Sequence, residues 1–342
     1  MVVQELLHPK IRRFPEWMIL FGLFVLALTA CQKEPEKSAG PPEKITIAYS
    51  PVPHTSLVHI AFTKGFFTAE GLEVTPQPHE FGKLALRSLL EGKAEFAIPA
   101  DTPIMFAIME GKKLYTIAVI ATSNKSTAIA ARKDRGIAGP TDLKGKKIGV
   151  PLGTTAEFFM DSFLATCGID KKEVKIIDLV PNEMPEAIMK GRVDAVSIWN
   201  PALKNVRNGL GDNAVVFYEE NIYSTILCVA AWQDFVKKHP ETVRKVLRAL
   251  TRAETFVKQN PEESRRLVAE FTKTDQAHLD EVWNLFDFRV ALEQSLLVSL
   301  EDQTRWAQKK GLTTGTEMPN YLDFIYFDGL GSIKPEAVRI IR

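Results

Sequence analysis

Residues Thr141–Leu164 read TDLKGKKIGVPLGTTAEFFMDSFL. Lys147–Val150 is a short β-rich run, Gly153-Thr154-Thr155 a loop of small residues, and Thr155 to Cys167 a helical pattern capped by Gly168. A strand that ends in a small polar loop and passes straight into a helix is the repeating half-unit of an α/β sheet. The same order recurs upstream. Ile45–Tyr49 leads through the loop Ser50–Thr55 into an amphipathic stretch from Leu57 to Phe67. Leu72–Thr75 precedes a helix from about Gly82 to Leu90, Glu95–Pro99 precedes one from Pro103 to Met109, and Leu114–Ala121 is a fourth strand. The alternation restarts after the turn-rich stretch Asp134–Asp142 and continues with Val174–Asp178, a helix Pro185–Lys190 and the strand Ala195–Ile198. Beyond Ala230 the pattern is almost wholly helical. Val243, Val246, Leu247, Leu250 and Val257 make one apolar face. Asn260-Pro261-Glu262-Glu263 is a start signal, with Asn as N-cap, Pro at N1 and Glu at N3. The pattern predicts two α/β lobes with mostly parallel sheets and a helical C-terminal part.

Composition sets the boundaries of function. The chain has 342 residues, 45% hydrophobic and 25% charged, which excludes disordered, collagenous and disulfide-stapled classes. Its formal net charge is +1 with no block of like charge, so there is no clustered basic surface for nucleic acid. A charged ligand must then be recognised at a local site. No P-loop, paired-carboxylate motif or Ser-His-Asp order is present, and no cofactor is expected. Neither Cys167 nor Cys228 has a metal-ligand neighbour and no His pair has helical ligand spacing, so no metal site is read either. Cys167 ends a helical pattern and Cys228 sits within an apolar strand-like run, so both read as buried small hydrophobes, although a disulfide is permitted in an oxidising compartment.

The first thirty residues form a separate object. Lys10, Arg12 and Arg13 precede an apolar run from Trp17 to Leu28, too short for the roughly 20 residues that a membrane-spanning helix needs. A basic segment, a short apolar core and small residues before a boundary read as a secretory signal over 1–30. The boundary Leu28-Thr29-Ala30-Cys31 resembles a bacterial lipobox, in which the Cys31 sulfur receives a diacylglycerol. Residues 31–43 then form the lipidated end and a flexible tether, because Gln32–Lys44 is rich in Pro, Glu and Lys with no apolar residue larger than Ala. Removal of 1–30 takes away Lys10, Arg12, Arg13, Glu5 and Glu16 and leaves 40 residues of each sign. The expected product is an exported protein held at a membrane by lipid.

Three loops share one logic. Ser50–Ser56 follows the first strand, Asp101-Thr102-Pro103 the third, and Gly153-Thr154-Thr155 follows Lys147–Val150. Ligands of α/β sheets sit outside the carboxyl ends of strands, where helix N-termini present unpaired N–H groups. Each loop also has a plainer reading, since Ser, Thr and Asp are ordinary N-caps. Asp101 could bind a ligand cation or cap the helix at Pro103, His54 could be a surface residue, and Trp199 could be ordinary packing beside Pro201.

In combination the segments ITIAY, AFTKGFFTAEGLEV, LLEGKAEFAIPADTPIMFA, TDLKGKKIGVPLGTTAEFFMDSFL and MKGRVDAVSIWNP resemble, in order and spacing, the solute-binding proteins of nitrate/sulfonate/taurine-type ABC transporters. That family also contains thiamine-precursor binders. The resemblance covers about residues 44–260. It implies the two-lobe, type II periplasmic-binding-protein fold, with lobe one at about 44–128 plus 225–342, lobe two at about 129–224, and ligand in the cleft. By matched position it implies ligand contacts from His54 and Thr55, Asp101 and Thr102, Ser123 and Asn124, Gly153, Thr154 and Thr155, Trp199 and Asn200, and Tyr223. The anionic headgroup would lie at Gly153–Thr155. Pro51, Pro53 and His54 depart from the sulfonate pattern in the first loop. The implied protein is a monomer of the cell envelope facing the periplasm, or the outer face of the membrane in a single-membrane bacterium, with an ABC permease and its ATPase as partners. An exported ligand sensor is the alternative. An enzyme related to thiamine-precursor or menaquinone-pathway proteins is a further alternative, although the pyrimidine synthase of that fold would demand a Cys-rich motif.

Overall fold

The computed structural model describes residues 41–342, so the expected signal, the lipidation expected at Cys31 and most of the expected tether lie outside the described residues. Twelve strands are described: β1 (Glu43–Tyr49), β2 (Leu72–Pro78), β3 (Phe96–Ala97), β4 (Leu114–Ser123), β5 (Thr127–Arg132), β6 (Lys147–Val150), β7 (Lys175–Asp178), β8 (Ala195–Trp199), β9 (Ala214–Phe217), β10 (Thr225–Trp232), β11 (Asp287–Glu293) and β12 (Val338–Arg339). They form two sheets, ordered β12-β11-β4-β10-β3-β1-β2 and β7-β6-β8-β5-β9. The chain passes from the first sheet to the second at 124–126 and returns through 218–224.

That double passage explains why the sheets are mixed rather than mostly parallel, as the alternation of elements predicted. β10 returns antiparallel to β4, with Thr225 opposite Ser123, and β5 enters antiparallel to β8 and β9. The βαβ units keep their parallel pairs, β1 with β2 and β3 and β6 with β7 and β8.

The C-terminal third is helical, as Pro240–Gln259, Pro261–Thr272 and Gln294–Lys309 show, yet it also supplies β11. Val290 and Leu292 bury completely as β11 covers the outer edge of β4, which an unpaired strand would otherwise expose. The helix after Asn260 starts at Pro261 as predicted. Its cap chemistry differs: the Asn260 side-chain amide donates back to the Phe256 carbonyl at 3.2 Å, and Glu263 pairs with Lys64. The stretch Leu57–Phe67 is two helices, Ser56–Thr63 and Phe66–Ala69, because Gly65 turns left-handed at φ 66° between them. Cys167 and Cys228 are both free thiols.

One apolar core fills the first lobe and continues into Phe158, Phe159 and Phe163 of the helix Thr155–Thr166. A second cluster, built on Met184, Ile188, Leu203 and Val206, covers the other face of the smaller sheet. With both faces covered, the centre of β6 has no spare room. A Cβ on Gly149 would stand 2.9 Å from Leu179 Cδ1 and 3.3 Å from Val196 Cγ1. Gly149→Val therefore destabilises by overpacking, by about 1–3 kcal/mol. Guanidinium unfolding reads this as a lower midpoint, and an unchanged midpoint would show that the two faces can part at no cost.

Candidate functional site

The loops that follow β1, β6 and β8 meet the crossing segments at the seam between the sheets. There they wall a cavity of about 40 Å³, room for only a few heavy atoms. Ser50, His54, Thr55 and Thr225 come from one side, and Thr127, Thr154, Thr155 and Trp199 from the other. Phe81, Gly82 and Lys83, at the start of the helix Gly82–Leu90, complete the wall. No carboxylate is part of it, and Lys83 and His54 are its ionisable members.

Hydrogen-bond accounting separates the hydroxyls that hold the wall together from those left to bind. Thr55 Oγ1 lies 2.6 Å from the Ser50 carbonyl and 2.8 Å from that of Val52, with His59 Nε2 at 3.0 Å. Ser50 donates to the Glu80 carbonyl, and Thr154 to that of Pro151. Ser126 donates to Thr225 Oγ1 at 3.1 Å. Thr127 Oγ1 is buried and has no partner among the described residues. Thr155, 5% exposed, starts its helix at the cavity wall, where first-turn amides have no carbonyl of their own helix to meet. The result is a cluster of donors around a small space.

Of the positions expected from sequence, the structure brings His54, Thr55, Thr154, Thr155 and Trp199 to this cavity. Gly153 stands just outside. Its amide is taken by Glu157 Oε2 at 2.7 Å, and its φ of 69° and missing side chain make room for Lys83, whose Nζ would lie 2.6 Å from a Cβ. Asp101 is wholly buried, accepting from Tyr223 at 2.5 Å, Ser299 at 2.7 Å and Gln303 at 2.6 Å. It ties the returning segment to the helix Gln294–Lys309 and does not reach the wall. Burial raises the Asp101 carboxyl above its ordinary range despite these bonds, and pushes the Tyr223 hydroxyl well up. Thr102 and Asn200 are buried away from the cavity, and Ser123 accepts from the Lys125 amide at 3.3 Å. Asn124 is exposed and donates to the Glu220 carbonyl, joining the two crossing segments.

Sequence reasoning missed Thr127, Thr225 and Lys83. The first two sit in apolar runs, TAIAAR and TILCVAAW, where nothing marks a hydroxyl as functional. Lys83 carried a usable signal, since Phe81-Gly82-Lys83 also leads from a strand into a helix.

The lobes touch on several sides of the cavity. Lys83 Nζ donates to the Leu152 carbonyl at 2.8 Å, the Asn182 amide to Glu80 at 3.1 Å, and Trp306 Nε1 to Asp161 at 2.9 Å. Lys204 pairs with Asp275 and Arg207 with Glu281 along the outer edge. Two α/β lobes, passed between twice by the chain and enclosing a small donor-lined cavity, define a solute-binding protein of the periplasmic-binding-protein fold. The family described as NMT1/THI5 like matches residues 53–264, and the chain belongs to it.

Among its relatives, a Brucella abortus (strain 2308) binding protein is 27% identical over 232 residues, 66% of this chain and 70% of that one. The taurine-binding periplasmic protein of Escherichia coli (strain K12) is 24% identical over 214 residues, 61% of this chain and 65% of its own. In structure the chain is similar to the alkanesulfonate-binding protein SsuA from Xanthomonas axonopodis pv. citri bound to MOPS. The TM-score is 0.74 at 18% identity, over 84% of this chain and 99% of that one.

The histidines make this region acid-sensitive. Burial pushes the His54 imidazole from 6.5 down to about 4, and burial with the neighbouring His54 pushes His59 down to about 3. The unfolded chain takes up these protons near pH 6.5 while the folded chain resists until about 4 or below, so stability is lost as pH falls through that window. Burial lowers His79 and His278 as well. In thermal melts of the ligand-free protein, His54→Asn should therefore show a smaller loss between pH 6.5 and 4 than the parent. Equal losses would mean that His54 titrates normally.

Proposed function

We propose that the protein is an extracytoplasmic solute-binding lipoprotein. It captures a small anionic organic solute, sulfonate-, carboxylate- or pyrimidine-like, between its lobes and delivers it to the permease of an ABC importer. The observation that carries the reading is Thr127, a residue of the cavity wall whose buried hydroxyl has no partner among the described residues. A buried polar group left unmade costs about 1–3 kcal/mol, and a ligand acceptor removes that cost. Lys83 at the rim and the absence of a carboxylate in the wall favour a negative charge. The taurine-binding relative and the family match support the same class.

In this reading the chain does no chemistry. A ligand touched by both lobes stabilises their contact by its differential affinity. The joined form is what the permease recognises, and ATP is hydrolysed by the importer's own ATPase subunit. A lipid on Cys31 keeps the monomeric binder beside that permease.

The test is a thermal-shift and calorimetric panel of taurine, methanesulfonate, acetate, nitrate and a hydroxymethylpyrimidine. For the members that bind, Thr155→Ala should weaken affinity roughly 10- to 150-fold, the loss of one hydrogen bond to a charged group, about 1.5–3 kcal/mol. Thr127→Val should weaken it comparably while leaving the ligand-free melting temperature unchanged or higher, because an unpaired hydroxyl is replaced by a group of the same shape. A lower melting temperature with unchanged affinity would assign both threonines to packing and remove them from the site.

The anchor is tested separately. Cys31→Ser should abolish labelling by a radioactive fatty acid and leave unprocessed or soluble protein; equal labelling of the variant would sink the lipobox reading.

A further inference from the structure

An anion moved into a space of about 40 Å³ gives up its water and needs a counter-charge as well as hydrogen-bond donors. Two wall residues can carry positive charge, Lys83 and His54. Lys83 is exposed and its ammonium already rests on the Leu152 carbonyl at 2.8 Å, so solvent screens it. His54 is set deeper, in the single turn Pro53–Thr55 that follows β1, with its ring 5.8 Å from that of Phe286. Its imidazole makes no hydrogen bond among the described residues. The charged and titratable groups around it are few. His59, on the following helix, is fully buried with Nε2 at 3.0 Å from Thr55 Oγ1, and Tyr49 lies against the His59 ring at 5.6 Å. Beyond Phe286, Asp287 is paired with Arg289 at 2.9 Å. β4 brings no charged residue over Leu114–Ser123, Tyr115 being its one titratable member, and the second lobe's share of the wall, Thr127, Thr154, Thr155 and Trp199, is uncharged. No carboxylate of the wall stands ready to neutralise an imidazolium there.

We propose that capture of an anion is linked to proton uptake: as the anion enters the cavity, His54 takes one proton from solvent and becomes its counter-charge. The proposal rests on the anionic-ligand reading of the cavity given above. In the ligand-free protein burial pushes the His54 imidazole down to about 4, so it is neutral at pH 7. A negative charge in the same desolvated space reverses the preference, because it favours the imidazolium that burial alone disfavours. The proton adds to a ring nitrogen and no bond of the ligand breaks. The liganded protein then holds protons more tightly than the free protein. Affinity therefore rises as pH falls between the two His54 pKa values, by about tenfold per pH unit for one proton, and levels off towards pH 4. A carboxylic acid can bring its own proton into the cavity, whereas an anion that never protonates depends on His54. The device thus ranks ligands by acidity as well as by shape, and couples loading of the binder to the pH of its surroundings.

The probes are methanesulfonate and nitrate, which stay ionised throughout, titrated calorimetrically into the protein at fixed salt between about pH 5 and 8. Pairs of buffers with different ionisation enthalpies report the protons taken up per anion bound. Uptake should approach one proton at the acid end of the range, where binding tightens about tenfold per pH unit. His54→Gln keeps a hydrogen-bonding side chain without a titratable nitrogen, and should leave an affinity that no longer varies with pH. His54→Asn, the variant of the thermal melts, should do the same and serves if the glutamine variant does not fold. Proton NMR gives an independent reading. The ring signals absent from either variant should move to the imidazolium position when methanesulfonate is added to the parent near pH 6. Binding without proton uptake in the parent overturns the linkage, needs no variant, and leaves the anionic-ligand reading standing. Uptake that persists in a folded His54 variant gives the proton to another group and overturns the role of His54. Failure of both anions to bind at every pH overturns the anionic-ligand reading and the linkage together.

Discussion

One carboxylate oxygen holds the two halves of this molecule in register. Asp161 Oδ2 is 3.0 Å from Lys171 Nζ in its own lobe and 2.9 Å from Trp306 Nε1 in the other, with Asp161 only 4% exposed. Lys171 also reaches Glu157 Oε1 at 3.0 Å, so two nearly buried acids share one ammonium. Buried charges of this kind seldom add net stability over an apolar core, but removing one partner strands the rest at a cost of about 3–5 kcal/mol. The arrangement therefore has one low-energy geometry. Glu157 and Asp161 lie on the helix Thr155–Thr166, whose first turn is the cavity wall, so the charge cluster aims that turn at the space where a solute would sit.

The inner side of the seam is built of such buried partners and the outer side is not. Next to Trp306, Phe158 packs edge-on at 5.2 Å and also meets Tyr223 at 5.1 Å, and Tyr223 donates to the buried Asp101. The outer edge relies on Lys204–Asp275 and Arg207–Glu281, pairs with at least one strongly exposed partner. Exposed pairs are worth little and weaken with salt.

Much of this was legible in the sequence, and the rest was hidden for identifiable reasons. The strand–loop–helix order marked Thr154 and Thr155 because a helix N-terminus is a local feature, written in adjacent residues. Asp101 has the same local signature. Its fate is decided by Tyr223, Ser299 and Gln303, up to 202 positions away, and they turn a candidate ligand contact into a structural tie. Thr127 and Thr225 stand on either side of the crossing segments, in strands whose patterns announce only burial. β11 escaped notice because Phe288, Val290, Ala291 and Leu292 suit an apolar helix face as well as a buried strand. The open edge of β4 chooses between the two, and that edge exists only once the sheet has formed.

The unpaired hydroxyl of Thr127 links structure to function in energetic terms. Thr127 Oγ1 is buried without a protein partner, a penalty of about 1–3 kcal/mol. In the proposed reading, an oxygen-bearing solute held between the lobes makes that bond. Part of the solute's binding energy thus appears only in the joined form, and only differential affinity of that kind can shift a two-state equilibrium. A wall whose hydroxyls were all satisfied internally would bind and close with little regard to the solute. Here Ser50, Thr55 and Thr154 are satisfied and stiffen the wall, while Thr127 Oγ1 has no protein partner, and in the proposed reading that hydroxyl makes closure depend on what the cavity contains.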